Sequence, residues 1–110
     1  MLAAPTRPTR SQLEDDFLAF CERWELPRPQ INVLVAGREV DAWFPEERVI
    51  VELDGWAFHS DRDAFEGDRD KDATALALGI PTIRLTDQRM KSQPKAEAAR
   101  LHRILAARRG

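Results

Sequence analysis

Between Val40 and Asp72 the chain carries acids at intervals that suit chemistry on phosphate: Asp41, then Glu52-Leu53-Asp54-Gly55, then His59, then Asp68-Arg69-Asp70-Lys71-Asp72. Carboxylate oxygens bind hard divalent cations such as Mg²⁺. Arginine and lysine beside them can hold a phosphate, and a histidine, which titrates at about 6.5, can move a proton to or from water or a leaving group. Together these residue types point to a site for a divalent metal and a phosphate.

Whether they meet depends on the elements that carry them. Arg38 to Phe44 and Val49 to Leu53 are rich in valine, isoleucine and aromatics and read as strands, with Pro45-Glu46-Glu47-Arg48 as the turn of a hairpin. If Glu46 and Glu47 are central in that turn, Phe44 lies opposite Val49 and Asp41 opposite Glu52. Cross-strand β-carbons are roughly 4.5–5.5 Å apart, and like charges there are destabilising unless a cation lies between them. The same register sends Val40, Ala42, Val49, Val51 and Leu53 to the other face, against helices, and leaves Glu39 and Asp54 on the acidic side. The competing reading makes Asp41 and Glu52 exposed strand acids bridged to Arg38 or Arg48.

Residues 1–10, with two prolines and no periodicity, read as a flexible lead-in to a domain over 11–110. Ser11-Gln12-Leu13-Glu14 matches a capping box, which by itself would account for Glu14. Leu13, Phe17, Leu18 and Cys21 follow at helical spacing, and the helix should end near Trp24. Ile31 to Val35 reads as a strand turned by Ala36-Gly37. A second helix is expected from about Asp61 or Asp63 to Leu78, with Phe65, Arg69, Asp72 and Leu76 near one face and Gly79 as its stop. Pro81 to Leu85 reads as a fourth strand reached by a crossover, and a last helix runs from about Pro94 to Arg108 with Ala98, Leu101, Ile104 and Leu105 on one side. The order α-β-β-β-α-β-α predicts an α/β fold, an α+β mixed sheet with an extra C-terminal helix.

With 110 residues, 43% of them hydrophobic, one domain with a modest core is expected. The single Cys21 excludes a disulfide framework and suits a buried apolar role in a reducing compartment. One cysteine and two histidines cannot make a cysteine-rich zinc site, and no serine sits in a Gly-x-Ser-x-Gly elbow. No apolar run approaches the roughly 20 residues of a membrane span and no signal-peptide core opens the chain, so a cytoplasmic protein is expected. A net charge of -2 argues against a general nucleic-acid binder. Its distribution argues the other way, since 8 basic and 2 acidic residues lie from Arg84 onward, against 9 basic and 17 acidic before it. Arg84, Arg89, Lys91, Arg100 and Arg103 are therefore candidates to contact a polyanion, the alternative being a solvated basic helix. Trp43 and Trp56 suit either core packing or stacking on bases.

The element order and the acids resemble the restriction-endonuclease-like superfamily, whose motif is PD-(D/E)xK, and within it the branch of very-short-patch-repair endonucleases and related homing endonucleases. The resemblance runs from about Ser11 to Leu105 through Glu14, Val40-Asp41, Trp43, Pro45, Val51-Glu52-Leu53-Asp54-Gly55, His59, Asp68-Arg69, Lys71-Asp72, Gly79 and Ile83-Arg84. It implies Mg²⁺ or Mn²⁺ held by Asp41 and Glu52 with help from Glu14, and DNA as the partner. Two residues after Glu52, where many members have lysine, this chain has Asp54. Either Asp54 adds to the metal site or the positive role has moved to His59, Arg69 or Lys71; in the closer branch, His59 and Asp68 look like replacements. The implied activity is metal-dependent endodeoxyribonuclease, with a homodimer, a fused domain or a partner protein choosing the target. The alternative is a non-catalytic nucleic-acid-binding or regulatory module that keeps the fold.

Overall fold

The structure, a computed structural model, describes the backbone of residues 8–55 and 62–110 and the side chains of 8–55 and 70–110. Its elements are α1 (Arg10–Arg23), β1 (Gln30–Val35), β2 (Arg38–Phe44), β3 (Val49–Asp54), α2 (Arg62–Ala77), β4 (Thr82–Thr86), α3 (Asp87–Ser92) and α4 (Pro94–Arg109). One mixed sheet holds the strands in the order β1-β2-β3-β4, antiparallel through β3, with β4 parallel to β3 after the α2 crossover. Both turns follow from local chemistry. Ala36 and Gly37 both take positive φ, 52° and 80°, as a two-residue hairpin requires. In the next turn Arg48, at φ 57°, donates its N–H to the Phe44 carbonyl at 2.8 Å.

The helices divide between the two faces. Phe17, Phe20 and Cys21 of α1, Met90 of α3 and Ala98, Leu101 and Leu105 of α4 pack with Ala42, Phe44, Val49, Val51 and Leu85 of the sheet. On the other face Ala75 of α2 packs with Val35, Val40, Ile50 and Ile80, with Trp43 against them. Cys21 is inside the first cluster, where burial pushes its thiol pKa up to about 12 and leaves it a small apolar residue.

Four expectations are corrected. The cap of α1 is Thr9, whose side chain accepts from Gln12 N while Gln12 bonds back to Thr9 N, so Ser11 and Glu14 are not the capping box. Threonine with glutamine three residues on forms the same kind of box two residues earlier in the sequence. Leu76 is 62% exposed, because the sheet-facing stripe of α2 runs through Asp72 and Ala75 instead. After β4 the chain forms two helices, α3 being started by the Thr86 hydroxyl accepting from Arg89 N. Val40 does not share a face with Ala42, since it packs with the α2 cluster while Ala42 and Phe44 pack with the α1 cluster. Between the pairs Ile31↔Ala42 and Val33↔Val40, and so opposite Asp41, Asn32 of β1 takes a φ of 53° inside the strand.

Candidate metal and phosphate site

The β2–β3 ladder pairs Phe44 with Val49, Trp43 with Ile50 and Ala42 with Val51, the register read from the turn. The described pairing stops one step short of Asp41 and Glu52. Where the backbone pairs end, the Leu53 N–H donates to Asp41 Oδ2 at 2.7 Å. The two acids remain neighbours: the Asp41 carboxylate hydrogen-bonds to Glu52 and repels its charge. Burial first, then that hydrogen bond and repulsion, raise the Glu52 pKa from 4.5 to about 7, against the opposing pull of Arg38. Two neighbouring carboxyl groups whose charges repel are a donor set that fits a divalent cation, which would quench the repulsion. Among the described residues no group of three or more His, Cys, Asp or Glu is placed to hold a metal, so the fit rests on this pair.

Around the pair lies an open pocket of about 460 Å³ lined by Arg10, Glu14, Arg38, Glu39, Asp41, Glu52, Asp54, Lys71 and Arg84 among others. Glu14 enters it from α1, accepting from Asn32 Nδ2 at 2.8 Å and pairing with Arg10 Nε at 3.2 Å. Asp54 ends β3 beside Thr86 of β4 at the pocket rim. Basic groups line the same pocket. Asp72 of α2 receives Arg38 Nη2 on one oxygen and Arg84 Nη2 on the other, each at 3.1 Å. Arg38 Nη2 also lies 3.2 Å from Thr82 Oγ1 and 3.5 Å from Glu52 Oε1. Lys71, exposed on α2, also lines the pocket.

Of the residues expected from sequence, Glu14, Asp41, Glu52, Asp54, Lys71 and Arg84 line this one pocket. His59 and Trp56 lie outside the described residues, and Asp68 and Arg69 lie on α2 where only the backbone is described. The other basic candidates are elsewhere. Arg89 on α3 and Arg103 on α4 are exposed. Lys91 bridges Asp87 at 3.0 Å and Asp16 at 3.5 Å. Arg100 is bound to Glu97 at 3.1 Å and to the Arg84 carbonyl at 3.3 Å. Sequence reasoning passed over Arg10 and Asn32 and treated Arg38 only as a salt-bridge partner. The signal for Asn32 was its position as the one amide inside the apolar run Ile31-Asn32-Val33-Leu34-Val35.

Neither a family model nor a curated protein sequence matches this chain. Among solved structures, the chain is similar to the homing endonuclease I-Bth0305I catalytic domain at 12% sequence identity and a TM-score of 0.70, over 88% of this chain and 96% of that one. The likeness is one of fold, a mixed sheet with helices on both faces.

Proposed function

We propose that this chain is a metal-dependent endonuclease domain that hydrolyses phosphodiester bonds of DNA with Mg²⁺ or Mn²⁺, allied to the very-short-patch-repair branch of the restriction-endonuclease-like superfamily. The observation that carries the reading is the pair Asp41 and Glu52, neighbours whose repulsion and burial raise the Glu52 pKa, lining one pocket with Arg10, Arg38, Lys71 and Arg84. The solved structure with the same fold is named as a homing endonuclease catalytic domain, which agrees with DNA as the substrate.

Hydrolysis of a phosphodiester needs a nucleophilic water, neutralisation of charge building on phosphorus and a proton for the leaving oxygen. A divalent ion, when bound, polarises the phosphoryl oxygen and lowers the pKa of an attacking water. Asp41 and Glu52 would hold it, and the Leu53 amide fixes one Asp41 oxygen so that the other stays turned toward the pocket acids and Arg10. Lys71 and Arg84 would receive the phosphate, Lys71 as a mobile point charge and Arg84 through a guanidinium oriented by Asp72. Glu14 would hold a water in the same pocket from the α1 side. His59 and Asp68 would complete the set in the roles of proton carrier and supporting acid.

Plasmid nicking in Mg²⁺ by wild type, Asp41→Asn and Glu52→Gln tests the reading. Nicking by the wild type, abolished in both variants and by EDTA, is expected. Wild-type protein that leaves plasmid intact while binding duplex would favour the non-catalytic DNA-binding module instead, a reading that the absence of a third clustered ligand among the described residues supports.

A further inference from the structure

We infer that Arg10 is a phosphate-binding residue of this site, parked on Asp41 and its acidic neighbours until a divalent cation displaces it. The inference rests on the metal-dependent reading of Asp41 and Glu52. Arg10 is the first residue of α1, a helix with no acid in its first turn. A positive charge there opposes the helix dipole, so helix stability gives no reason for it. Its guanidinium is instead the hub of the acidic side of the pocket. Nη2 lies 2.8 Å from Glu39 Oε1, 2.7 Å from Asn32 Oδ1 and 3.5 Å from Asp41 Oδ1, and Nε lies 3.2 Å from Glu14 Oε1.

The backbone supports this arrangement at a cost. Asn32 holds a positive φ inside a strand, a conformation in which an amide side chain is tolerated better than most. From there its Oδ1 accepts from Arg10 while its Nδ2 donates to Glu14 at 2.8 Å. Strain of this kind persists where surrounding contacts require it, and the contacts made here are with the pocket.

The resident cation is also exchangeable. The Arg10 side chain is 54% exposed, so its ion pairs are screened and weak, and water can replace them when the guanidinium swings out. Asp41 Oδ2 is bound to the Leu53 amide, and Oδ1 is the oxygen turned to Arg10. A divalent cation taking Oδ1 would repel the guanidinium, whose planar fork of donors suits a phosphate oxygen pair. Arg10 lines the same pocket as Lys71 and Arg84, so a phosphate there would meet all three cations once the guanidinium is released.

The test is Arg10→Gln, with Arg10→Lys beside it. Mn²⁺ affinity is measured by calorimetry without DNA, and affinity for a short duplex by fluorescence anisotropy with Ca²⁺ in place of Mg²⁺. Arg10→Gln is expected to bind Mn²⁺ about three- to tenfold more tightly, because a positive charge beside the ligand is gone. It should bind duplex about three- to tenfold more weakly, with a salt slope shallower by about one. Arg10→Lys keeps the charge and should return Mn²⁺ affinity to the wild-type value while recovering only part of the duplex affinity. Opposite signs on the two ligands set this role apart from a brace of the fold, whose loss would weaken both. Unchanged Mn²⁺ affinity in Arg10→Gln, or weakening toward both ligands, overturns the inference and leaves the metal reading intact. Wild type that binds neither Mn²⁺ nor duplex overturns both. Opposite-sign effects in a protein that nicks nothing would uphold the role of Arg10 and remove hydrolysis alone.

Discussion

At the scale of single residues, the site is governed by what it costs to keep Asp41 and Glu52 together. Glu52 ordinarily titrates at 4.5 and is held up at about 7. Because the folded chain holds that proton more tightly than the unfolded chain, the stability it contributes is fully present below about pH 4.5 and is lost as pH rises through about 7. In EDTA the wild type should therefore lose on the order of 1–3 kcal/mol between pH 4.5 and 8, and Glu52→Gln should not. Urea unfolding at the two pH values measures this, and saturating Mg²⁺ should restore the wild type at pH 8 with no effect on the variant. Equal pH dependence in both proteins would show that Glu52 does not hold its proton more tightly in the folded chain. Asp41, Glu52 and Asp54 line one pocket, as alternation out from a short turn predicts, although the described ladder ends at Ala42 and Val51. Arg10 was not legible in the sequence, because its partners on β1 and β2 are brought to it by tertiary packing of α1 over the sheet, which no local pattern encodes. The Asn32 kink was half legible, as a polar residue in an apolar strand whose consequence depended on the neighbouring strand.

At the scale of elements, strands and long helices were legible and caps were less so. β2, with bounds Arg38–Phe44, and α2, stopped by Gly79 at φ 79°, match the sequence reading because hydrophobic periodicity and a left-handed glycine are strong local signals. The six residues of α3 were missed since they offer less than two turns of periodicity, and only Thr86 as cap with Asp87 in the first turn marks the start. Thr86→Ala should destabilise the protein by about 1 kcal/mol, read by chemical denaturation, through loss of the bond to Arg89 N and loosened seating of Met90 in the core. No change would mean that tertiary packing alone holds α3. Ala36 sits at φ 52° in a turn that favours glycine, so Ala36→Gly should stabilise the hairpin by about 0.5–1 kcal/mol. A loss of stability would show that the turn does not hold this conformation in solution.

At the scale of the whole molecule, the basic C-terminal end divides into arginines that fasten the fold and arginines left exposed. Part of it fastens the fold. Glu47 is 3% exposed in the β2–β3 turn and receives Arg109 Nε at 2.7 Å, while Arg108 donates to the carbonyls of Glu47 at 3.1 Å and Gly79 at 2.6 Å. Arg109→Ala would leave a buried carboxylate without its partner and should cost about 1–2 kcal/mol, less than a fully buried pair because the arginine is half exposed. Denaturation that shows no loss would assign Glu47 another partner. Arg89 and Arg103 stay exposed and are free to serve as outer contacts to a polyanion, so Arg103→Glu should weaken duplex binding most at low salt. Unchanged affinity at low salt would remove α4 from the nucleic-acid surface. No described helix is long and apolar enough to cross a membrane, and the pocket between α1, α2 and the sheet brings charges of both signs together. The most direct test of the account is a calorimetric titration of Mn²⁺ into the wild type and Asp41→Ala, with nicking assayed on the same samples. Metal binding and nicking present in the wild type and both lost in Asp41→Ala are predicted; a wild type that binds no Mn²⁺, or a variant that binds and nicks like it, would contradict the claim that Asp41 and Glu52 form a metal site.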